Sequence, residues 1–423
     1  MYERNVQRIE EVVKKQNEWR LNTINLIASE NVLSDRVRRL AGSDFAHRYA
    51  EGHPGERYYQ GTDMIDEIET WAKQHLKTLF KCRQVDVRPT SGTVANDATF
   101  SQHINPGDIV MVNSTAGGGH ISHHAVGSVG KYTENIVDFP FTDDGYHLNV
   151  EDTAYLINKL HPKLLVLGKS LFLFPEPIKE LKEICRKNGT TIIYDAAHVL
   201  GLIAGGKFQD PLSEGADFIT GSTHKTFFGS QRGIILSNAK QKEWEKIDKG
   251  AFPGSSSNHH LDTLVSLAIT TYEMLEYGAE YADQVVKNAK AFGQKLYNLG
   301  FRVQAEEYGF TESHQIAVDV TEFGRGDEVA RILKDNNIIC NMNLLPFEPL
   351  ENVNNPAGIR LGVQEMTRFG MKEAEIGTIA DFFKKCLIEG KYVGDEVTEF
   401  RQGYQKVLYS YDDFPDNEVK EEK

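Results

Sequence analysis

Two short stretches hold residue types that could do covalent chemistry. Thr223-His224-Lys225-Thr226 sets a lysine among small hydroxyl residues, between apolar runs at 216–220 and 233–237. Upstream, Tyr194-Asp195-Ala196-Ala197-His198 closes another apolar run. An acid at one strand end and a lysine at the next turn are what a pyridoxal phosphate (PLP) site requires. The amine forms a Schiff base, and the carboxylate keeps the ring nitrogen protonated. A loop lysine is by default solvated and inert, so so short a motif stands only with support from the rest of the chain.

Further stretches supply it. Thr90-Ser91-Gly92-Thr93 follows a strand-like run and opens a helix-like one. Such a turn offers backbone N–H groups, hydroxyls and the positive helix end, the parts of a phosphate cup. Ser91 or Thr93 as a plain N-cap would use the same donors, and the local sequence does not separate the two. Ala116-Gly117-Gly118-Gly119-His120-Ile121-Ser122-His123-His124 lets a backbone approach something closely at its glycines. Its histidines have no acidic or cysteine partner at ligand spacing, so no metal centre is assigned. His120 fits better as a ring stacked on a planar group. Tyr49 to Gly61 interleaves Tyr49, Tyr58 and Tyr59 with Glu51, Glu56 and Arg57 in an irregular loop. Tyrosines there are costly to expose, which favours an interface or ligand site over a surface loop. Gly358-Ile359-Arg360-Leu361-Gly362 buries an arginine in an apolar run, which calls for an anion or a structural salt bridge.

The positioning elements alternate. Apolar strands at 163–168, 190–194, 216–220 and 233–237 are separated by helical stretches such as 177–187, closed by Asn188-Gly189. This pattern predicts an α/β fold with a mostly parallel sheet and ligands at its C-terminal strand ends, where Ser170, Asp195, His198 and Lys225 all fall. Helices are expected at 5–22, 34–47 and 63–80, with a long one at 261–299 broken near Gly278 and closed by Gly300. Beyond it the chain reads as a smaller α+β unit. The expected division is an N-terminal arm at 1–30, a large domain at 31–285 and a small domain at 286–423 with an acidic tail.

Composition narrows the class. The 423 residues are 40% hydrophobic and 26% charged, enough for a sizeable core. The net charge of −14 argues against wrapping nucleic acid. No apolar run spans a membrane and no signal-peptide pattern opens the chain, so the expected location is the cytoplasm. Cys82, Cys185, Cys340 and Cys386 form no CxxC pair, which suggests neither a disulfide framework nor a zinc cluster.

In collinear order the landmarks are Leu26-Ile27-Ala28-Ser29-Glu30-Asn31, Arg48 to Gly52, Pro54-Gly55 with Arg57-Tyr58-Tyr59, Ser91-Gly92, Gly118-Gly119-His120, Asp195 to His198, Thr223 to Thr226 and Gly358 to Gly362. Together they resemble serine hydroxymethyltransferase, a PLP enzyme of fold type I whose large domain carries a mostly parallel seven-stranded sheet. Phe172 to Pro175 and Ser257-Asn258-His259-His260 look most like the branch found in methane-producing archaea and their bacterial relatives. The resemblance implies that Lys225 holds PLP, Asp195 pairs with the pyridine N–H and His120 stacks on the ring. Ser170 and His198 would lie near the phenolic oxygen, and Ser91, Gly92 and Thr93 would bind the phosphate. Arg360, helped by Ser29, would clamp the amino-acid carboxylate, with Glu51 as acid/base at the substrate hydroxyl. Tyr49, Glu51, Tyr58 and Tyr59 would enter from a partner subunit, making the protein an obligate homodimer, alone or paired into a tetramer. The implied reaction exchanges serine and glycine and transfers a hydroxymethyl group to a tetrahydropterin co-substrate, either tetrahydrofolate or tetrahydromethanopterin. Thr115, Ile121 and Asn343 are the pterin-facing candidates. The chain departs from the family at Gln60, at Ser255-Ser256-Ser257 and at Thr115, where folate enzymes place an apolar residue. These departures keep a pterin-independent aldolase or transaldolase on a β-hydroxy-α-amino acid as the alternative.

Overall fold

In the computed structural model, which describes residues 2–346 and 348–412, the alternating apolar runs form the expected sheet. Its seven strands lie in the order Gln84–Asp86, Gly233–Ser237, Phe218–Ser222, Thr191–Asp195, Leu164–Leu167, Val110–Val112 and Ile136–Asp138. All are parallel except Gly233–Ser237, which runs antiparallel to both neighbours. Leu164–Leu167, Phe218–Ser222 and Gly233–Ser237 are buried at every position. Continuous apolar strands of this kind need helices on both faces. The Asp63–Phe80, Gly92–His103 and Ile178–Asn188 helices are among those that supply them.

Helix ends follow the sequence signals. Ser91 caps Gly92–His103, its side chain accepting from the Val94 N–H at 3.2 Å. Gly189, at φ 66°, closes Ile178–Asn188 in the left-handed conformation that a side chain would strain. The stretch expected as one helix at 34–47 is instead an α-helix, Asp35–Ala41, and a 3₁₀ turn, Asp44–His47, parted at Gly42-Ser43.

The long helix is unbroken from Leu261 to Asn298, without the interruption expected near Gly278, and it runs straight through position 285. Gly278 serves close approach instead. A Cβ added at Gly205 would sit 2.4 Å from the Gly278 carbonyl oxygen, so the two glycines let the short Leu200–Ala204 helix press against the long one.

A second sheet of four antiparallel strands follows, ordered Arg302–Val303, Gln315–Asp319, Gly358–Gly362, Asn341–Asn343. The N-terminal segment is stitched to this unit. Ile24-Asn25 pairs in parallel with Ile338-Ile339, and the Gly362 N–H donates to the Leu26 carbonyl at 2.8 Å. No residue of the first helix, Tyr2–Leu21, is buried. Its stripe of Val6, Ile9, Val12 and Val13 lies exposed. No helix among the described residues is long and apolar enough to cross a membrane.

Candidate active site

Strand ends of the large sheet converge on one cleft. Gly92, Thr93, His120, Ser170, Asp195, His198 and Lys225 line it, so most of the residues that the sequence placed at strand ends and turns meet there. Asn96, Ser122, His123, Lys169, Ala197 and Ser222 complete the wall.

Lys225 stands in the turn after Phe218–Ser222, and tight turn chemistry holds it there. The Thr223 N–H donates to the Arg232 carbonyl at 2.9 Å and the Gly229 N–H to the Thr223 carbonyl at 2.6 Å. The Thr226 hydroxyl donates to the His198 carbonyl at 2.8 Å, tying the lysine turn to the turn after Asp195. Gly201 allows that approach, since a Cβ there would lie 2.1 Å from the Thr226 carbonyl oxygen. From the N-terminal segment, Asn31 Nδ2 donates to the Lys225 carbonyl at 2.7 Å. The lysine amine has no ion-pair partner among the described residues. Burial pulls its pKa down to about 8; Asp195 opposes the shift and Arg360 adds to it. A buried, unpaired amine that sheds its proton this readily can act as a nucleophile.

Asp195 is held as an anion. Burial alone would raise its pKa, but bonds from His123 Nε2 at 2.9 Å, Asn96 Nδ2 at 2.7 Å and the Ala197 N–H at 3.0 Å hold it well below the usual carboxylate range. His123 and Asn96 both engage Oδ2, leaving Oδ1 with only Ala197 and room for a further N–H donor. The sequence reading missed both partners. Their signal was spacing: Asn96 falls four residues after Gly92 on the same helix face, and His123 three after His120 across a 3₁₀ turn.

His120 is mostly buried and its pKa falls to about 4, chiefly through desolvation, so the ring is neutral. Its Nδ1 lies 2.6 Å from the Ser122 hydroxyl. His198 is buried and its pKa is likewise pushed well down, first by desolvation and then by the charges of Lys225 and Arg360. At the cup, the Ser91 hydroxyl is engaged as the helix cap, while Gly92 and Thr93 face the cleft. A Cβ on Gly92 would come within 2.3 Å of the Ser222 hydroxyl, so glycine keeps this helix end open.

Arg360 is 8% exposed and crosses from the small sheet toward the cleft, donating to the Ser170 carbonyl at 2.6 Å and to Asn341 Oδ1 at 3.2 and 3.3 Å. No carboxylate among the described residues pairs with it, which removes the structural salt bridge as its explanation. Burial lowers its pKa to about 10, so it remains a cation seeking an anion.

The remaining candidates lie elsewhere on the chain. Tyr49, Glu51 and Tyr59 form a cluster of their own, with Tyr59 Oη donating to Glu51 Oε2 at 3.1 Å and the two rings 5.6 Å apart. Tyr49, Tyr58 and Tyr59 are exposed, and none of the loop lines the Lys225 cleft. The loop is nonetheless firmly built: buried Arg57 pairs with Asp66 and Glu69 and donates to the carbonyls of Ala50 and Gly52. Ser29 is partly buried beside Ala28, whose carbonyl faces His314 Nε2 at 3.1 Å. Thr115 lies in the glycine turn, Ile121 is 54% exposed, and Asn343 on its edge strand donates to the Leu344 carbonyl at 2.6 Å.

These residues suit PLP: an amine without an ion-pair partner, an acid with acceptor room left on Oδ1, an open helix end for phosphate and a neutral flat ring. Fold and site together define a PLP-dependent enzyme of fold type I. The family model for serine hydroxymethyltransferase matches residues 3–383. Serine hydroxymethyltransferase of Methanosphaera stadtmanae is 48% identical over 407 residues, covering 96% of each chain. That of Archaeoglobus fulgidus is 48% identical over 403 residues, covering 93% of this chain and 92% of the relative. The crystal structure of L-threonine transaldolase from Pseudomonas fluorescens in its internal aldimine state superposes with TM-score 0.89 at 27% identity, over 99% of this chain and 96% of that one. The chain belongs to the serine hydroxymethyltransferase family, and archaeal members are among its relatives at 48% identity.

Proposed function

We propose that this protein interconverts serine and glycine and passes the hydroxymethyl carbon to a tetrahydropterin, either tetrahydrofolate or tetrahydromethanopterin. The observation that carries the reading is Arg360, a buried cation without a carboxylate partner beside the Lys225–Asp195 cleft. It suits an amino-acid carboxylate, which a guanidinium grips in a planar fork.

PLP, when bound, supplies an electron sink for the pair left at Cα as the Cα–Cβ bond of serine breaks. The chain's own residues do the rest. Arg360 orients the substrate through its carboxylate. Asp195, kept ionised by His123 and Asn96, holds a proton on the ring nitrogen. The Lys225 amine, neutral above about pH 8, holds the cofactor and gives way to the incoming amino group. The amides of Gly92 and Thr93 anchor the phosphate at the helix N-terminus. Glu51 handles the substrate hydroxyl proton. Because the Glu51–Tyr59 cluster lies outside its own chain's cleft, we assign it to the site of a second protomer in a homodimer, which also gives the exposed stripe of the first helix a surface to cover. Ser29, Thr115, Ile121 and Asn343 are assigned to the substrate and pterin ends of the completed site. A cytoplasmic location accords with these small-molecule substrates.

The test is serine cleavage assayed without pterin and with each tetrahydropterin in turn. Acceleration by one of them is expected. Equal rates without any would overturn the reading in favour of a pterin-independent aldolase or transaldolase, which Thr115 and the similarity to the threonine transaldolase favour.

A further inference from the structure

His198 is flanked by two fully buried polar residues, Gln315 of the small sheet and His314 just before it, whose hydrogen-bonding sense can be read atom by atom. The Phe172 N–H lies 2.9 Å from Gln315 Oε1. A backbone N–H can only donate, so the amide oxygen must face Phe172 and the amide nitrogen must face the other way. That nitrogen lies 2.9 Å from His198 Nδ1. An amide nitrogen can only donate, so His198 Nδ1 must be bare.

We propose that Gln315 is a positioning residue that fixes His198 as its Nε2–H tautomer, so that the histidine serves as a one-proton donor at the cleft. A neutral imidazole has a single proton, and with Nδ1 committed as acceptor that proton resides on Nε2. His314 reinforces the arrangement. Its ring stacks on His198 with centroids 5.8 Å apart, and its Nε2 lies 3.1 Å from the Ala28 carbonyl and 3.2 Å from the Gln315 amide. The Ala28 carbonyl only accepts, so His314 Nε2 carries a proton when that bond forms and cannot then accept from Gln315. The Gln315 amide is left committed to His198.

Gln315 pairs with Gly362, two residues from Arg360. The tautomer of a histidine in the turn beyond a large-sheet strand is therefore set from the unit that also supplies Arg360. The tautomer assignment depends only on local geometry. Its consequence for the cofactor rests on the reading of this cleft as the PLP site, where His198 is expected beside the phenolic oxygen.

The experiment uses full-length protein labelled with ¹⁵N-histidine, studied as the holoenzyme and again after the cofactor is stripped, with His198 assigned by its loss in His198→Asn. Wild type is expected to show one neutral tautomer, protonated at Nε2. A proton on Nδ1, a mixture of tautomers or a doubly protonated ring would overturn the proposal. In Gln315→Met, close in shape but without a donor, the single-tautomer pattern is expected to give way to a mixture. The pH midpoint of the cofactor's visible band should rise as the donor to its oxygen weakens. A variant that keeps the sole Nε2–H form, or an unmoved midpoint, would count against Gln315. Should Gln315→Met fail to fold, the wild-type spectrum decides alone. A wild type that cleaves serine while protonated at Nδ1 would sink this inference and leave the proposed function standing.

Discussion

Replacing Arg360 with alanine separates binding from stability in a way the structure makes quantitative. The guanidinium donates to the Ser170 carbonyl and Asn341 but pairs with no carboxylate among the described residues. Its removal leaves two acceptors short of a donor, at about 1–3 kcal/mol. Relief from burying a cation offsets part of that, so a small fall in Tm is expected. For substrate the balance differs. Losing one partner of a buried, hydrogen-bonded charge pair costs about 2–5 kcal/mol. At about 1.4 kcal/mol per decade, the glycine Kd should rise from roughly thirtyfold to above a thousandfold. Glycine and ethanolamine titrated against the cofactor's visible band provide the assay. Glycine binding should collapse in the variant, while ethanolamine, which has no carboxylate, should bind both proteins alike. Unchanged glycine affinity, or an equal loss for ethanolamine, would refute the carboxylate role.

Other expectations are more compact. Since the neutral amine attacks PLP, its capture by cofactor-free protein should rise with pH through a midpoint near 8, and a midpoint near the ordinary 10.5 would contradict the burial of Lys225. Between those pH values the unfolded chain holds the extra proton, so cofactor-free protein should gain stability as pH rises across the window, and Lys225→Met should remove that gain in denaturant titrations. Gly205→Ala would drive a Cβ to 2.4 Å from the Gly278 carbonyl oxygen and 2.5 Å from the Ala282 Cβ. A cost of about 1–3 kcal/mol in urea unfolding is expected, and an unchanged midpoint would mean that the two helices can part freely. Mixing Lys225→Ala and Glu51→Gln proteins and letting subunits exchange should restore serine cleavage, because one site of the hybrid then holds both native residues. Sites built within single protomers would stay silent.

Much of the site was legible because α/β chains put chemistry at strand ends. Ser170, Asp195, His198 and Lys225 could be placed by finding where apolar runs stop, and they share one cleft. What was not legible depended on contacts distant in sequence. That Arg360 lacks a carboxylate partner is a statement about every chain segment around it. Gln315 carried no sequence signal of its own, since its meaning comes from Phe172 and His198 on another unit. His123 was weighed only as a metal ligand, whereas the fold spends it on Asp195. Gly278 looked like a break because glycine weakens helices, yet the close passage of Gly205 uses that same missing side chain. Ser91 stays as the sequence left it, because a hydroxyl that accepts the Val94 N–H as a helix cap still has its own proton to donate.

The first helix, none of whose residues is buried by its own chain, has a thermodynamic consequence. Helix formation in water carries a costly nucleus, and in proteins most helical stability comes from tertiary packing of an apolar face. In the proposed homodimer, the order of this helix depends on protein concentration through the cover over Val6, Ile9, Val12 and Val13. Amide hydrogen exchange along this helix should slow as concentration rises, while the central sheet stays indifferent. The N-terminal twenty residues would thus act as a built-in gauge of assembly.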